Sequence, residues 1–399
     1  MILRPSSTIG ALLGATALAM AVPAWPAGPR IPDSDDAVLE WLPSRPSDPS
    51  QRQLRRLRAA LAEDPGDPER AVALARHHFA IAQADGDPRQ IGYGEAALRG
   101  VPEHRRTPEL LVVGAQLAQY QHDFSRAHAL LDRALAAAPS DPEALAWKTA
   151  LHLVQADYAA AGQACERLAN AASELLGTAC RAQIGAATGS LRASYESLRA
   201  ALAGRPDARP SLRQWVSVLL ADMAQRLGRA RDADAHYRAA LALDDPDQYL
   251  LAAYAEFLID ERRPSEAAAL LRGRERSDTL LLLIARAHKA LGSPETARLT
   301  ELLRARYADA ARRGSRLHAQ DEARFRLEFL TDAAGAADLA AQNWADQQRE
   351  AADARVLMEA ALAAKTPRAA RPALAWLAAT GFEDARLSRL AAALKALEP

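Results

Sequence analysis

The feature that most constrains this chain is a two-helix pattern that recurs six times at nearly constant spacing. The six units begin at Pro108, Pro142, Leu175, Gln214, Gln248 and Asp278. Successive starts are 34, 33, 39, 34 and 30 residues apart. Each unit contains two apolar runs of helical period, separated by a glycine or a polar stretch. A period near 34 residues with two helices in each unit predicts a helix–turn–helix solenoid, so the expected class is all-α.

Two positions of the unit hold small side chains throughout. The eighth residues are Ala115, Thr149, Ala182, Ala221, Ala255 and Ala285. The twentieth residues are Ala127, Ala161, Ser194, Ala233, Ala267 and Ala297. Small side chains at a helix crossing let the two backbones approach closely. We therefore expect the two helices of each unit to cross at these two positions.

In these positions the chain resembles the tetratricopeptide repeat family, as an exported bacterial member. The resemblance also rests on glycines near position fifteen (Gly189, Gly228, Gly292) and on prolines near unit ends, and it covers roughly residues 108–305. It departs from the family where an aromatic residue is usual at position four, as at Leu111. The resemblance implies a right-handed superhelix whose first helices line a concave groove that binds a protein or peptide.

Carried onto this chain, that role falls on residues of the first helices. The predicted groove residues are Glu109, Gln116, Tyr120, Glu143, Trp215, Asp222, Arg226, Tyr249, Glu256, Arg286 and Lys289. The lysine and asparagine set with which some family members bind a C-terminal carboxylate is absent. Aromatic residues and arginine most often anchor a partner, which favours Tyr120, Trp215 and Tyr249.

The chain divides into five segments by sequence pattern. We predict a signal peptide (1–24), a proline-rich linker (25–50), divergent helical repeats (51–107), the regular array (108–310), and degenerate repeats with a terminal cap (311–399). Residues 9–22 form an apolar run after Arg4, too short to span a bilayer, and small residues precede cleavage after Ala24 or Ala21. The mature chain is expected in the periplasm or outside the cell. The linker either docks a short helix (36–42) onto the array or is a flexible tether.

Composition limits the class of partner. Lysine plus arginine and aspartate plus glutamate number 50 each, so the formal net charge is zero. This balance argues against nucleic acid or an anionic membrane surface as the main partner. Arginine and alanine are abundant, which suggests a bacterial origin.

Residues with catalytic or metal-binding chemistry do not form recognisable motifs. The nine histidines lack an H-E-x-x-H arrangement, and no G-x-S-x-G or phosphate-binding glycine loop occurs. We therefore expect no catalysis, no cofactor and no metal. A hydrolase hidden in residues 311–399 would need clustered polar groups, yet that region holds one histidine, His318.

Two cysteines, Cys165 and Cys180, lie on either side of a predicted turn near Ala172. An antiparallel hairpin brings them to the same height, so a disulfide and a pair of buried thiols are both compatible with the spacing.

Two functions remain open from the sequence. The first is a non-catalytic scaffold that binds a protein or peptide in an envelope complex. The second is an accessory or carbohydrate-binding subunit of a polysaccharide-export or cell-wall machinery. A row of groove aromatics would favour carbohydrate, and the three predicted aromatics are scattered.

Overall fold

A computed structural model describes residues 49–314, 317–346 and 348–397. Within these ranges the chain forms twenty α-helices, two short 3₁₀ turns and no strand, which confirms the predicted all-α class. The predicted signal peptide (1–24) and all of the predicted linker (25–50) except its last two residues lie outside the described residues. Those two residues begin the first helix.

The helices follow one another with short connections. The first ten are α1 (Pro49–Glu63), α2 (Pro68–Asp85), α3 (Arg89–Arg99), α4 (Pro108–Tyr120), α5 (Phe124–Ala137), α6 (Pro142–Val154), α7 (Tyr158–Ala171), α8 (Glu174–Ala187), α9 (Leu191–Ala203) and α10 (Pro210–Arg226). The remaining ten are α11 (Ala230–Leu241), α12 (Gln248–Asp260), α13 (Pro264–Leu270), α14 (Asp278–Ala290), α15 (Glu295–Arg312), α16 (Ala319–Phe329), α17 (Ala333–Asp346), α18 (Ala351–Ala363), α19 (Arg371–Thr380) and α20 (Ala385–Lys395). The 3₁₀ turns are Glu103–Arg105 and Pro367–Ala370.

Local signals explain where these helices begin. Proline occupies the start of α4, α6 and α10, where its missing N–H costs no hydrogen bond. Aspartate caps many of the helices: Asp141 Oδ1 accepts from Ala144 N at 2.8 Å, and Asp157 Oδ1 accepts from Ala160 N at 3.1 Å. Such caps satisfy N–H groups that the helix itself leaves unpaired.

Each even-numbered helix from α2 to α18 packs against the helix that follows it. First helices of neighbouring pairs also touch, for example α8 with α10 and α10 with α12. In addition, α2 contacts α12, five pairs further along. Because first helices meet across the array, they form its inner face and the second helices form its outer face.

The fifteenth residue of every predicted unit has a left-handed backbone. Positive φ values occur at His122, Ala156, Gly189, Gly228, Arg262 and Gly292. The residue after each donates its N–H to a carbonyl five positions earlier, as Asp157 N does to His152 O at 2.9 Å. This is the Schellman ending of a helix, which glycine adopts most easily. Positive φ values also occur just after α16, at Thr331, and just after α18, at Lys365, which adds two units beyond the six that the sequence revealed.

The small residues at positions eight and twenty are buried, with one exception. Ala115, Ala221 and Ala255 are at most 1% exposed, as are Ala127 and Ala161. The expectation was wrong for Ala297, which is exposed. There α15 starts only after Pro294, and the helix buries other residues instead, namely Leu299, Leu303 and Tyr307.

The second helix of the unit that begins at Gln248 is the shortest α-helix among the described residues. This helix, α13, ends at Leu270 after 7 residues. Of the described helices, none has both the length and the apolar character needed to span a membrane.

Candidate functional site

All eleven predicted groove residues lie on first helices, α4, α6, α10, α12 and α14. The structure places nine of them in three places on the inner face, and the other two, Tyr120 and Trp215, pack against hydrophobic cores. One group forms a polar cluster near the amino terminus. A second surrounds a cavity, and a third belongs to a large charge network. Both the cavity and the network also include helices from the end of the chain.

The amino-terminal cluster joins α2, α4 and α6 through Arg76. Its Nη2 lies 2.8 Å from Glu143 Oε2 and 3.2 Å from Glu109 Oε1. Gln116, which is buried, donates from Nε2 to Glu143 Oε1 at 2.7 Å. The hydrogen bond from Arg76 holds the pKa of Glu143 below its usual range. These side chains bind one another, and Arg76 was not identified from the sequence.

Of the three predicted groove aromatics, Tyr120 and Trp215 contribute mainly to packing. Tyr120 meets Phe79 edge-on with ring centroids 6.3 Å apart, and burial raises its pKa to about 12. Trp215 is half-buried against the largest hydrophobic core. Tyr249, in contrast, is 59% exposed on the inner face.

The last helices of the chain fold back onto the inner face. We call residues 348–397, with α18, α19 and α20, the carboxy-terminal unit. Arg349 N donates to Val154 O at 2.8 Å, and Trp376 Nε1 donates to Tyr158 Oη at 3.1 Å. At Gly189, a Cβ atom would lie 3.4 Å from the Gly381 carbonyl oxygen, so the two backbones approach closely there. The carboxy-terminal unit therefore lies across the α6–α7 and α8–α9 turns, which belong to the second and third predicted units.

Arg226, a predicted groove residue, holds this unit in place. Its guanidinium lies over the Phe382 ring, 3.9 Å from the centroid. Its Nε donates to Glu383 O at 3.1 Å and its Nη2 donates to Ala186 O. The Glu383 carboxylate in turn accepts from Leu191 N at 3.3 Å. Arg226 is 7% exposed, so its charge is used inside the fold.

A network of charged side chains connects the inner helices α12, α14 and α16 to the carboxy-terminal unit. Its members are Arg286, Arg324, Arg355, Arg386, Glu256, Asp260, Glu328, Glu359 and Asp384. Arg355 donates to both oxygens of Asp260, at 2.7 and 2.8 Å. It also donates from Nε to Glu359 Oε1 at 2.9 Å.

The network extends to both sides of the Arg355–Asp260 pair. Arg386 Nη1 lies 2.9 Å from Asp260 Oδ2, and Arg286 Nε lies 3.0 Å from Glu328 Oε2. The predicted groove residues Glu256 and Arg286 pair with each other at 3.3 Å. Lys289 donates to Glu328 O and lies 4.9 Å from the Phe329 ring centroid. These three groove residues therefore bind parts of their own chain.

We expect the charge network to make the stability of the fold sensitive to acid, mainly through Glu256. Withdrawal from water opposes its ionisation, but the guanidinium groups of Arg286 and Arg355 outweigh it and lower its pKa to about 2. A pKa below the unfolded value stabilises the fold above about pH 4.3, and this contribution disappears as the pH falls toward 2. Because the side chain is partly exposed, we expect the ionised carboxylate to contribute about 1–2 kcal/mol to the free energy of unfolding at neutral pH.

Urea denaturation of the wild type and Glu256→Gln at several pH values measures this contribution. The wild type should be the more stable at pH 7, and the difference should shrink between about pH 4.3 and 2. A difference that is independent of pH would show that the carboxylate charge is not responsible. Glu301→Gln, on the exposed side of α15, provides a control that should change stability little.

A cavity on the inner face lies beside the predicted groove residues Asp222, Arg226 and Tyr249. Its volume is about 260 Å³, and it lies between α6, α8, α10 and α12 on one side and the carboxy-terminal unit on the other. We call it the recess. The aromatic residues around it are Tyr158, Tyr249, Trp376 and Phe382, and the charged residues are Asp222, Arg226, Arg349 and Glu350.

The two cysteines cross-link α7 and α8. Their Sγ atoms are bonded at 2.14 Å, with the Cα atoms 5.9 Å apart, a separation usual for disulfides. Both side chains are buried in the core that α4 to α8 share. In the part of the chain that the structure describes, no group of three or more histidine, cysteine, aspartate or glutamate side chains is arranged to hold a metal ion.

Neither a family model nor a curated protein matches this sequence. Solved structures do match. A tetratricopeptide repeat protein from Parabacteroides merdae aligns with 60% of this chain and 92% of its own, at 16% identity and a TM-score of 0.42. The Cut9–Hcn1 hetero-tetramer of the APC/C aligns with 88% of this chain and 67% of that chain, at 12% identity and a TM-score of 0.52.

At such identities a likeness establishes the fold alone, and only the second superposition is good enough to support it. The paired helices, the recurrent left-handed turn and this likeness agree. The predicted tetratricopeptide-like solenoid is therefore confirmed as the fold.

Proposed function

We propose that this protein is a non-catalytic, exported scaffold that binds a segment of a protein partner on its inner face, as part of an envelope complex. The recess is the observation that carries the proposal. Most of the inner face is occupied by ion pairs and hydrogen bonds within the chain, and the recess is a concave opening there. Tyr249 at its edge is 59% exposed, although aromatic side chains usually avoid water.

The rigidity of the surroundings supports a binding role. The helices α8, α10 and α12 on one side of the recess are each packed against neighbouring helices, and the disulfide and the charge network tie α8 to α7 and α12 to the carboxy-terminal unit. A preformed site loses little conformational entropy when a partner binds. An exposed tyrosine within such a site is a typical interaction hot spot.

Capture from periplasm and solubilised envelope of the source bacterium tests the proposal. The mature chain and two variants, Tyr249→Ala and Tyr93→Ala, serve as baits. Tyr93 is 51% exposed on the outer helix α3, so it provides a matched control. We expect a defined protein to bind the wild type and Tyr93→Ala and to be lost, or reduced at least tenfold, with Tyr249→Ala.

Two other outcomes would contradict the proposal. Equal capture by all three baits would place the contact away from the recess. Capture of polysaccharide and of no protein would favour the carbohydrate-binding alternative.

Export is a separate part of the proposal, and it rests on residues 1–24, outside the described ranges. Expression of the full chain in a Gram-negative host, followed by fractionation and mass measurement, tests it. We expect a periplasmic product that begins at Trp25, or at Val22 if the competing site is used. An uncleaved or cytoplasmic product would refute export.

A further inference from the structure

Position seven of the repeat unit carries a long side chain in every predicted unit except the first. It is Gly114 in the unit that begins at Pro108, and in the later units it is Lys148, Arg181, Leu220, Tyr254 and Ile284. Gly114 lies in the middle of α4, where glycine weakens a helix relative to alanine. The first unit therefore differs from the others at a position where helix stability alone does not favour the residue present.

The polar side chains at position seven reach back to the second helix of the preceding pair. Lys148 Nζ donates to Asp132 Oδ1 on α5 at 2.6 Å, and Arg181 makes the same kind of contact with α7. Tyr254 Oη donates to Asp234 Oδ1 on α11 at 2.9 Å. A side chain at position seven therefore spans the space between its own helix and the preceding second helix.

At Gly114 the corresponding space is a cavity of about 300 Å³, which lies between the second helices α3 and α5 and against α4. We call it the leucine cleft because five leucines line it, namely Leu98, Leu110, Leu111, Leu117 and Leu130. A Cβ atom at Gly114 would meet Leu130 Cδ1 at 3.4 Å and Leu98 Cδ1 at 3.8 Å, both ordinary contacts. The missing side chain at position seven therefore leaves the cleft open.

The charges around the leucine cleft are unbalanced toward the positive. The charged residues that line it are Arg99, Arg106, Arg126 and Glu95. Arg126 is neutralised, since its Nη1 lies 2.6 Å from Glu95 Oε1. Arg106 pairs with Glu103 at 2.9 Å, but Glu103 also pairs with Arg133, so two arginines share one carboxylate. Among the described residues, Arg99 forms no ion pair, and its side chain is exposed.

The leucines and Arg99 select two features that one ligand must combine. Leucine walls gain from contact with an apolar side chain, and a guanidinium binds a carboxylate through two parallel hydrogen bonds. The volume lies at the lower end of the ~300–1,000 Å³ of typical small-molecule pockets, which suits one inserted side chain. Because Arg99 is exposed at the opening, a segment that inserts an apolar side chain brings its neighbouring residue against the guanidinium.

We propose that the leucine cleft docks a protein partner through a leucine or phenylalanine side chain with a carboxylate beside it. The apolar side chain occupies the space that position seven fills in later units, and the carboxylate binds Arg99. The cleft lies between second helices and shares no lining residue with the recess. The inference therefore goes beyond the proposed function, because it assigns a second docking surface, on the outer face.

Titration of the mature chain with a short acidic peptide tests the cleft. The probe is Ac-Gly-Glu-Phe-Glu-Gly-NH₂ at pH 7 and low ionic strength. Two matched peptides replace the phenylalanine by alanine or both glutamates by glutamine, and chemical shifts of the labelled chain report binding. We expect the probe to bind at least tenfold more tightly than either matched peptide, because one lacks the apolar anchor and the other lacks the carboxylates. Added salt should weaken binding of the probe.

Two variants locate the binding. Gly114→Leu places a side chain in the cleft and Arg99→Gln removes the unpaired charge, and each should weaken binding of the probe at least tenfold. Gly162→Leu and Arg192→Gln are the matched controls, since Gly162 also lies within a helix, Arg192 is also exposed, and neither lines the cleft. Both controls should bind the probe like the wild type. Thermal denaturation confirms that each variant is folded. If Gly114→Leu does not fold, Arg99→Gln and the alanine peptide still decide the question.

The inference is overturned if the three peptides bind equally well, if neither Gly114→Leu nor Arg99→Gln changes binding, or if the probe does not bind. Octanoate, an apolar chain with a carboxylate, provides a further comparison. Tighter binding of octanoate than of the probe would overturn the protein partner and assign the cleft to an acyl ligand. None of these results bears on the recess, because capture through Tyr249 uses the opposite face of the array.

Discussion

Replacement of Arg355 by methionine is expected to lower the free energy of unfolding by about 3–5 kcal/mol. The guanidinium satisfies both oxygens of Asp260 and one oxygen of Glu359, and it is 14% exposed. Removal of Arg355 leaves Asp260 with Arg386 and Glu359 with Arg324 as the remaining counter-charges, so two largely buried carboxylates lose their strongest compensation, and this costs far more than the pair contributes as a whole. Urea denaturation followed by circular dichroism measures the change.

Arg298→Met provides the matched control. Arg298 pairs with Glu275 at 3.2 Å, but both side chains are about half exposed, so the loss should be under about 1 kcal/mol. Hydrogen exchange gives a second readout, since α18 and α20 should lose protection in Arg355→Met before α4 to α8 do. Equal, small effects for the two variants would mean that the network does not hold the carboxy-terminal unit in place.

This anchoring explains why the predicted groove differs from the observed inner face. The helix pairs and their inner residues follow from the 34-residue period, because each contact that makes a repeat is local or reaches only the next repeat. The carboxy-terminal unit depends on different contacts. Arg355 and Asp260 are 95 positions apart, and Trp376 and Tyr158 are 218 apart. No periodic pattern in the sequence reports such pairs.

The number of repeats was also incompletely predicted from the sequence, here for a local reason. Glycine at position fifteen made three turns visible, because glycine tolerates positive φ without steric cost. Thr331 and Lys365 adopt the same conformation without glycine, and the two units that contain them were assigned only as degenerate repeats. At Ala297 the sequence predicted too much. This small residue occupies position twenty of its unit, yet it is exposed because α15 begins late.

Arg76 and Arg355 were missed for one further reason. Arginine is abundant in this chain, and most arginines on a helical solenoid are solvent-exposed. Arg355 and Glu359 lie four residues apart on α18, a spacing typical of surface ion pairs. The sequence holds no sign that this pair faces inward. Only the long-range ion pairs between α18 and α12 distinguish this structural charge from a surface one.

Loss of the Cys165–Cys180 disulfide is expected to lower the free energy of unfolding by about 3 kcal/mol. The bond closes a loop between residues 15 positions apart, and the constraint acts mainly by reducing the freedom of the unfolded chain. Thermal denaturation with and without a reductant measures the effect. The Cys180→Ala variant provides the control. It should be as unstable as the reduced protein, apart from the small packing change at a residue that is 2% exposed, and it should not respond to reductant.

The same bond connects stability to the proposed location, because disulfides persist in oxidising compartments and are rare in the bacterial cytosol. Chain purified from its native compartment should resist thiol alkylation until it is unfolded and reduced. Free thiols in that material would argue against export, whatever the stability measurement gives. If the cysteines are bonded but the bond has no effect on stability, the α7–α8 hairpin must keep residual structure in the unfolded chain, so that the bond removes little further freedom. The two measurements therefore separate where the protein resides from what the cross-link contributes to its fold.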